Sequence, residues 1–93
     1  MGLKIALISN FSLGISDPEN CLLPPDIITI GDLLRHVGKQ MNFPFMAANA
    51  GDLRRDIEVS INGKEVWFYP RALNTPLKEG DSVEINLVPL GGG

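Results

Sequence analysis

The chain has almost nothing with which to do chemistry of its own. Its 93 residues include one cysteine, Cys21, and one histidine, His36. Neither an internal disulfide nor a Cys/His metal cluster can be built from such a set. A lone thiol fits a reducing compartment, so a cytoplasmic location is expected. No apolar run approaches the ~20 residues of a membrane-spanning helix, and residues 1–8 carry no signal-peptide cleavage site. Cations are also scarce: eight Lys and Arg face eleven Asp and Glu, for a net charge of −3 and a pI of about 4.9. Nucleic-acid binding needs a basic face and is argued against, whereas a basic protein partner is compatible. One histidine, one cysteine and scattered carboxylates make no recognisable catalytic constellation. The chain is therefore not read as an enzyme, and no bound cofactor or metal is expected.

What is present is a foldable core and a glycine-rich end. With 44% hydrophobic and 20% charged residues, the composition is that of a globular protein. The length allows one domain with one modest core. The last five residues are Pro89-Leu90-Gly91-Gly92-Gly93, and their three consecutive glycines cannot serve packing. Glycine has no Cβ and loses more backbone entropy on ordering than any other residue. Such a run makes a thread, free of side chains, that can enter a narrow slot. The expected organisation is a folded domain over residues 1–88 and a flexible tail over 89–93.

The rest of the chain reads as a platform for that thread. In residues 3–9, Leu3, Ile5 and Leu7 alternate with Lys4 and Ala6, the period of a strand. Residues 10–26 are rich in turn formers and contain Pro24-Pro25. They predict a long loop, with room for a short edge strand. Cys21 lies there with nothing in sequence to lower its pKa. Thr29 is a good helix N-cap, and Asp32 completes an approximate capping box. Ile30, Leu33, Leu34, Val37 and Met41 then mark one apolar helix face. Gly38 weakens this helix by about 1 kcal/mol relative to alanine. His36 has no second ligand or nucleophile near it in sequence and reads as a solvated flank.

Residues 42–56 predict a connection with one apolar anchor at 43–46, and Arg54-Arg55 read as a solvated pair. Ile57, Val59 and Ile61 alternate with Glu58 and Ser60, and Asn62-Gly63 is a strong hairpin signal. A return strand over residues 64–69 would turn Val66 and Phe68 to the core. It would leave Trp67 and Tyr69 on the outward face, either as a partner surface or covered by the long loop or the 43–46 segment. Residues 70–79 cross over, anchored by Leu73 and Leu77. Residues 82–88 form the last strand, Val83, Ile85 and Leu87 facing inward, and Pro89 stops it. The fold class is α+β: a mixed sheet of four or five strands packed on one main helix, the first and last strands parallel neighbours.

This order of elements resembles the ubiquitin-like β-grasp sulfur-carrier family, which includes the small subunit of molybdopterin synthase and the thiamine-pathway sulfur carrier. The residues that carry the resemblance are Thr29-x-x-Asp32-Leu33-Leu34, Val59-x-Ile61-Asn62-Gly63-Lys64, the run from Thr75 through Gly80-Asp81 to Ile85, and the Pro89–Gly93 end. It covers residues 1–9 and 27–93. Residues 10–26 are longer and richer in proline than the family pattern, residues 43–50 are unusual, and Gly91 stands where serine or alanine is common. The resemblance implies that an ATP-dependent activating enzyme adenylates the carboxylate of Gly93, which then becomes a thiocarboxylate. Leu90, Gly91 and Gly92 would be read by the partner. The sulfur would pass to an acceptor enzyme in cofactor biosynthesis, a molybdopterin-type synthase large subunit first among them. Conjugation to other proteins through Gly93 uses the same tail and stays open, as does a non-covalent interaction module.

Overall fold

Sheet and helix form where the apolar periods place them. The computed structural model describes residues 2–11, 13, 15, 17–43, 45 and 53–88. Strand β1 (Lys4–Ser9) buries Ile5 and Leu7 and exposes Lys4 and Ile8. The loop after it contains a short 3-10 turn, Pro18–Asn20, and an edge strand, β2 (Cys21–Leu22), antiparallel to β1. Helix α1 (Ile30–Met41) follows. Then come β3 (Ile57–Ile61), β4 (Lys64–Glu65) and β5 (Ser82–Leu87). The sheet order is β2-β1-β5-β3-β4, with β1 and β5 parallel and the other pairs antiparallel. The last strand is thus the central one, and the expected parallel pairing of first and last strands is present.

The helix begins as its cap residues dictate. Thr29 Oγ1 accepts the N–H of Asp32 at 3.2 Å, and Asp32 Oδ2 accepts the N–H groups of Thr29 and Ile28 at 3.1 and 3.2 Å. This is a full capping box with aspartate in the usual place of glutamate. These backbone donors, Thr29 first and then Ile28, hold the Asp32 carboxyl below its ordinary value of 3.8, aided by Arg35. Ile30, Leu33 and Leu34 are wholly buried and Val37 nearly so. Each such side chain contributes about 1.5–3 kcal/mol of burial free energy, set against the entropy of ordering it. The helix stops at Asn42, which takes the left-handed conformation at φ 55° and turns its N–H back to the carbonyls of Gly38 and Lys39.

Gly38 is more than a weak point in that helix. A Cβ built there would stand 2.6 Å from the carbonyl oxygen of Phe43 and 3.1 Å from the ring of Phe45. The chain leaving the helix doubles back over Gly38, and Phe43 N–H donates to the Gly38 carbonyl at 2.8 Å. The predicted apolar anchor is Phe45, 1% exposed, which packs in tilted contact with Phe43 and Phe11 at ring-centroid distances of 5.0 and 6.2 Å. Leu53 is buried as well. Arg54 departs from its reading as half of a solvated pair. Its guanidinium makes a two-pronged ion pair with Asp56, at 3.0 and 2.8 Å, and lies 4.9 Å from the centre of the Phe43 ring. Arg55 is exposed as expected.

The hairpin forms with both turn residues at positive φ, Asn62 at 54° and Gly63 at 85°, the geometry of a type I′ turn. The return strand is shorter than its sequence predicts. Only Lys64 and Glu65 pair with β3, opposite Ile61 and Ser60. Val66–Phe68 then form a 3-10 turn. Successive residues of a 3-10 turn diverge by about 120° rather than 180°, so the strand's two inward positions are not both kept. Val66 is fully buried, whereas Phe68, expected in the core, is 69% exposed. Leu73 and Leu77 anchor the crossover as predicted, Leu73 within a further 3-10 turn, Ala72–Asn74.

Candidate functional site at the root of the glycine tail

The residues expected to carry the chemistry, Leu90, Gly91, Gly92 and Gly93, lie outside the described residues, as does Pro89. What the structure defines is the place they leave from. β1 ends at Ser9, paired with Ile85, so two residues of β5 run on past their parallel neighbour. The side chain of Asn10 takes over. Its Oδ1 accepts the N–H of Leu87 at 2.9 Å, and its Nδ2 donates to the Leu87 carbonyl at 2.8 Å. On the opposite edge β3 begins at Ile57, paired with Leu87. One residue earlier, the Asp56 carbonyl accepts the N–H of Val88 at 2.9 Å. Groups outside the regular ladder thus extend the central strand on both edges, to Leu87 on the Asn10 side and to Val88 on the Asp56 side.

Asp56 is itself braced. Its carboxylate is held by Arg54, and the N–H of Ile57 donates to the Arg54 carbonyl at 3.1 Å, closing a turn over residues 54–57. Through Phe43 this turn leans on the aromatic cluster at the end of the helix. Sequence reasoning missed both Asn10 and Asp56. Asn10 was one turn former among many, and its task depends on β1 stopping before β5.

The predicted aromatic surface lies elsewhere. Trp67 is 49% exposed on the 3-10 turn after β4. Tyr69 is half-buried. Its hydroxyl donates to the Ile61 carbonyl at 2.7 Å, and the Lys64 ammonium sits 4.7 Å from its ring centre. Ile61 pairs with Val83, while the tail leaves beyond Leu87. The two places are separated by four strand residues, roughly 13 Å.

Cys21 and His36 line one cavity of about 340 Å³ with Asp17 and Gln40. Burial, and then the charge of Asp17, push the Cys21 thiol above its ordinary 9.0, away from a reactive thiolate. Among the described residues no group of three or more His, Cys, Asp or Glu is placed to hold a metal. None of their helices is long and apolar enough to cross a membrane.

The chain matches the ThiS family over residues 14–93, a span that includes the glycine run. It belongs to the ThiS family. ThiS proteins of this kind are ubiquitin-like β-grasp sulfur carriers or modifiers, generally non-catalytic, that work with an activating enzyme and acceptor enzymes. Two solved structures share the fold. The solution structure of the Haloferax volcanii HVO 2177 protein is 23% identical, with a TM-score of 0.67 over 99% of this chain and 87% of that one. The solution structure of the small archaeal modifier protein 1 from Methanosarcina acetivorans is 19% identical, with a TM-score of 0.66 over 100% of this chain and 99% of that one. At these identities the likeness establishes the fold alone. No curated protein matches the chain.

Proposed function

We propose that this ThiS-family chain carries sulfur as a thiocarboxylate on Gly93 and delivers it in cofactor biosynthesis. The observation that carries the reading is a family match that runs through the glycine tail, joined to a central strand tied to Leu87 on one edge and to Val88 on the other. The chemistry follows from the carboxylate. It is a poor electrophile until one oxygen becomes a good leaving group. Adenylation by a partner enzyme, at the expense of ATP, supplies that group, and a sulfur nucleophile then displaces AMP. None of these steps asks the carrier for an acid, a base or a metal. Its own part is to deliver a terminus thin enough to enter the enzyme, where correct placement is worth on the order of 7–11 kcal/mol.

Leu90, Gly91 and Gly92 are the proposed recognition segment, and Trp67 and Tyr69 the proposed docking surface. The proposed acceptor is a molybdenum- or tungsten-pterin precursor, reached through a synthase large subunit. This choice follows the resemblance to the family that includes the small subunit of molybdopterin synthase; a thiazole acceptor would use the same terminus. Conjugation of Gly93 to lysines of other proteins is the second reading, favoured by the likeness to the small archaeal modifier protein 1.

Removing Gly93, or adding one residue after it, tests the reading. Activation by the host's adenylating enzyme is expected to vanish while the fold survives. Normal activation of the extended chain would contradict it. Lysine-linked adducts in host extracts, in place of a sulfur-bearing terminus, would select conjugation.

A further inference from the structure

The root of the tail is held by a specific device, and the carrier reading gives that device a task. Leu87 directs both its N–H and its carbonyl toward the edge that β1 has already vacated, and the Asn10 amide satisfies both, at 2.9 and 2.8 Å. Val88 directs its N–H to the other edge, where the Asp56 carbonyl takes it at 2.9 Å. A primary amide presents one acceptor and two donors on a single rigid plane, so Asn10 mimics the missing strand residue. Alanine offers neither group. Aspartate offers the acceptor but sets a second acceptor against the Leu87 carbonyl.

We propose that Asn10 and Asp56 are positioning residues for the chemistry at Gly93, fixing the strand end from which the terminal residues are presented. The proposal rests on the carrier reading above. With both groups in place, the thread counts from Pro89, which has no N–H to extend the ladder. Five residues at about 3.3–3.6 Å each give a reach of roughly 17 Å. Without Asn10, Leu87 loses both of these bonds, and the strand end through Val88, left to the Asp56 carbonyl on the other edge, frays. The thread becomes longer and less directed, and each residue released must be ordered again when the tail enters the activating enzyme. Ordering one residue's backbone corresponds to a factor of roughly 5–30 in an equilibrium constant. Because the tail is threaded in the ground-state complex, the loss falls on KM rather than kcat.

The test is ATP–pyrophosphate exchange by the host's adenylating enzyme, titrated with the full chain, its Asn10→Ala variant and its Asp56→Asn variant. Amide hydrogen exchange is read in parallel. For Asn10→Ala the expected result is a KM for the carrier raised about fivefold or more, with kcat unchanged. Exchange should be faster at Leu87 and Val88 but unaltered at Ile85. Asp56→Asn should show a smaller shift of the same kind, because its carbonyl remains. A role in fold stability alone would lower the unfolding midpoint and leave KM untouched below it. Faster exchange with unchanged KM would overturn the positioning role, and unchanged exchange would overturn the clamp itself. A wild-type chain that supports no exchange would overturn the carrier reading, and this proposal with it.

Discussion

Gly38 lies under the Phe43 carbonyl so closely that a Cβ would come within 2.6 Å of it. Two expectations therefore oppose each other. Helix propensity favours Gly38→Ala by about 1 kcal/mol. Packing opposes it, because the atom in the way is backbone, and the segment above it also seats the buried ring of Phe45. Overpacking of a closed contact costs about 1–3 kcal/mol. Gly38→Ala is expected to destabilise the fold by up to about 2 kcal/mol in net, measured by urea unfolding. A variant stabler than the parent would mean that the 42–45 segment yields freely.

The helix cap makes stability depend on pH. Asp32 has its carboxyl lowered by the Thr29 and Ile28 N–H groups, so its contribution is fully present above the unfolded value and is lost as pH falls through the lower, folded one. Unfolding midpoints measured between pH 7 and pH 2 should show this loss in the acid range, and Asp32→Asn should flatten it. Thr29→Ala removes the other half of the box and should cost about 1 kcal/mol at neutral pH. An equal acid response in Asp32→Asn would assign the titration to other carboxylates.

Neighbouring residues of the 3-10 turn should behave oppositely. Val66 is fully buried, and Val66→Ala is expected to cost about 1–3 kcal/mol. Phe68 is 69% exposed, and Phe68→Ser should stay within about 0.5 kcal/mol. Equal losses at the two positions would restore the longer return strand that the sequence alone suggests.

That strand shows where the sequence was legible and where it was not. Period-two alternation located β1, β3 and β5, the apolar rows and Thr29 located the helix, and Asn62-Gly63 located the hairpin, because each signal is local. The end of β4 is not local. Whether residues 66–68 continue a ladder depends on pairing with β3, and their valine, tryptophan and phenylalanine suit a strand equally well. Arg54 was misread for the same reason. Its partners are the nearby Asp56 and the more distant Phe43, and only the fold brings that ring beneath its guanidinium. The glycine run that the family match includes was legible in the sequence. Its anchoring was not, since the role of Asn10 depends on where β1 stops relative to a strand 77 residues away.

Cys21 should be a sluggish nucleophile. Burial and the Asp17 charge raise its pKa above the ordinary 9.0, so the thiolate is scarce near neutrality. Alkylation by iodoacetamide at pH 7 is expected to run several-fold slower than for an unfolded reference peptide of the same sequence, and to accelerate only at alkaline pH. A rate at or above the peptide's would point to an activated thiol in the cavity it shares with His36.

The central claim concerns the terminus, and intact mass reads it directly. The full chain is incubated with its host's adenylating enzyme, ATP and a sulfur source, beside a chain lacking Gly93. The account predicts a mass gain equal to one sulfur replacing one oxygen, present in the full chain and absent from the shortened one. An unchanged mass, under conditions in which the same enzyme activates an authentic carrier, would contradict it.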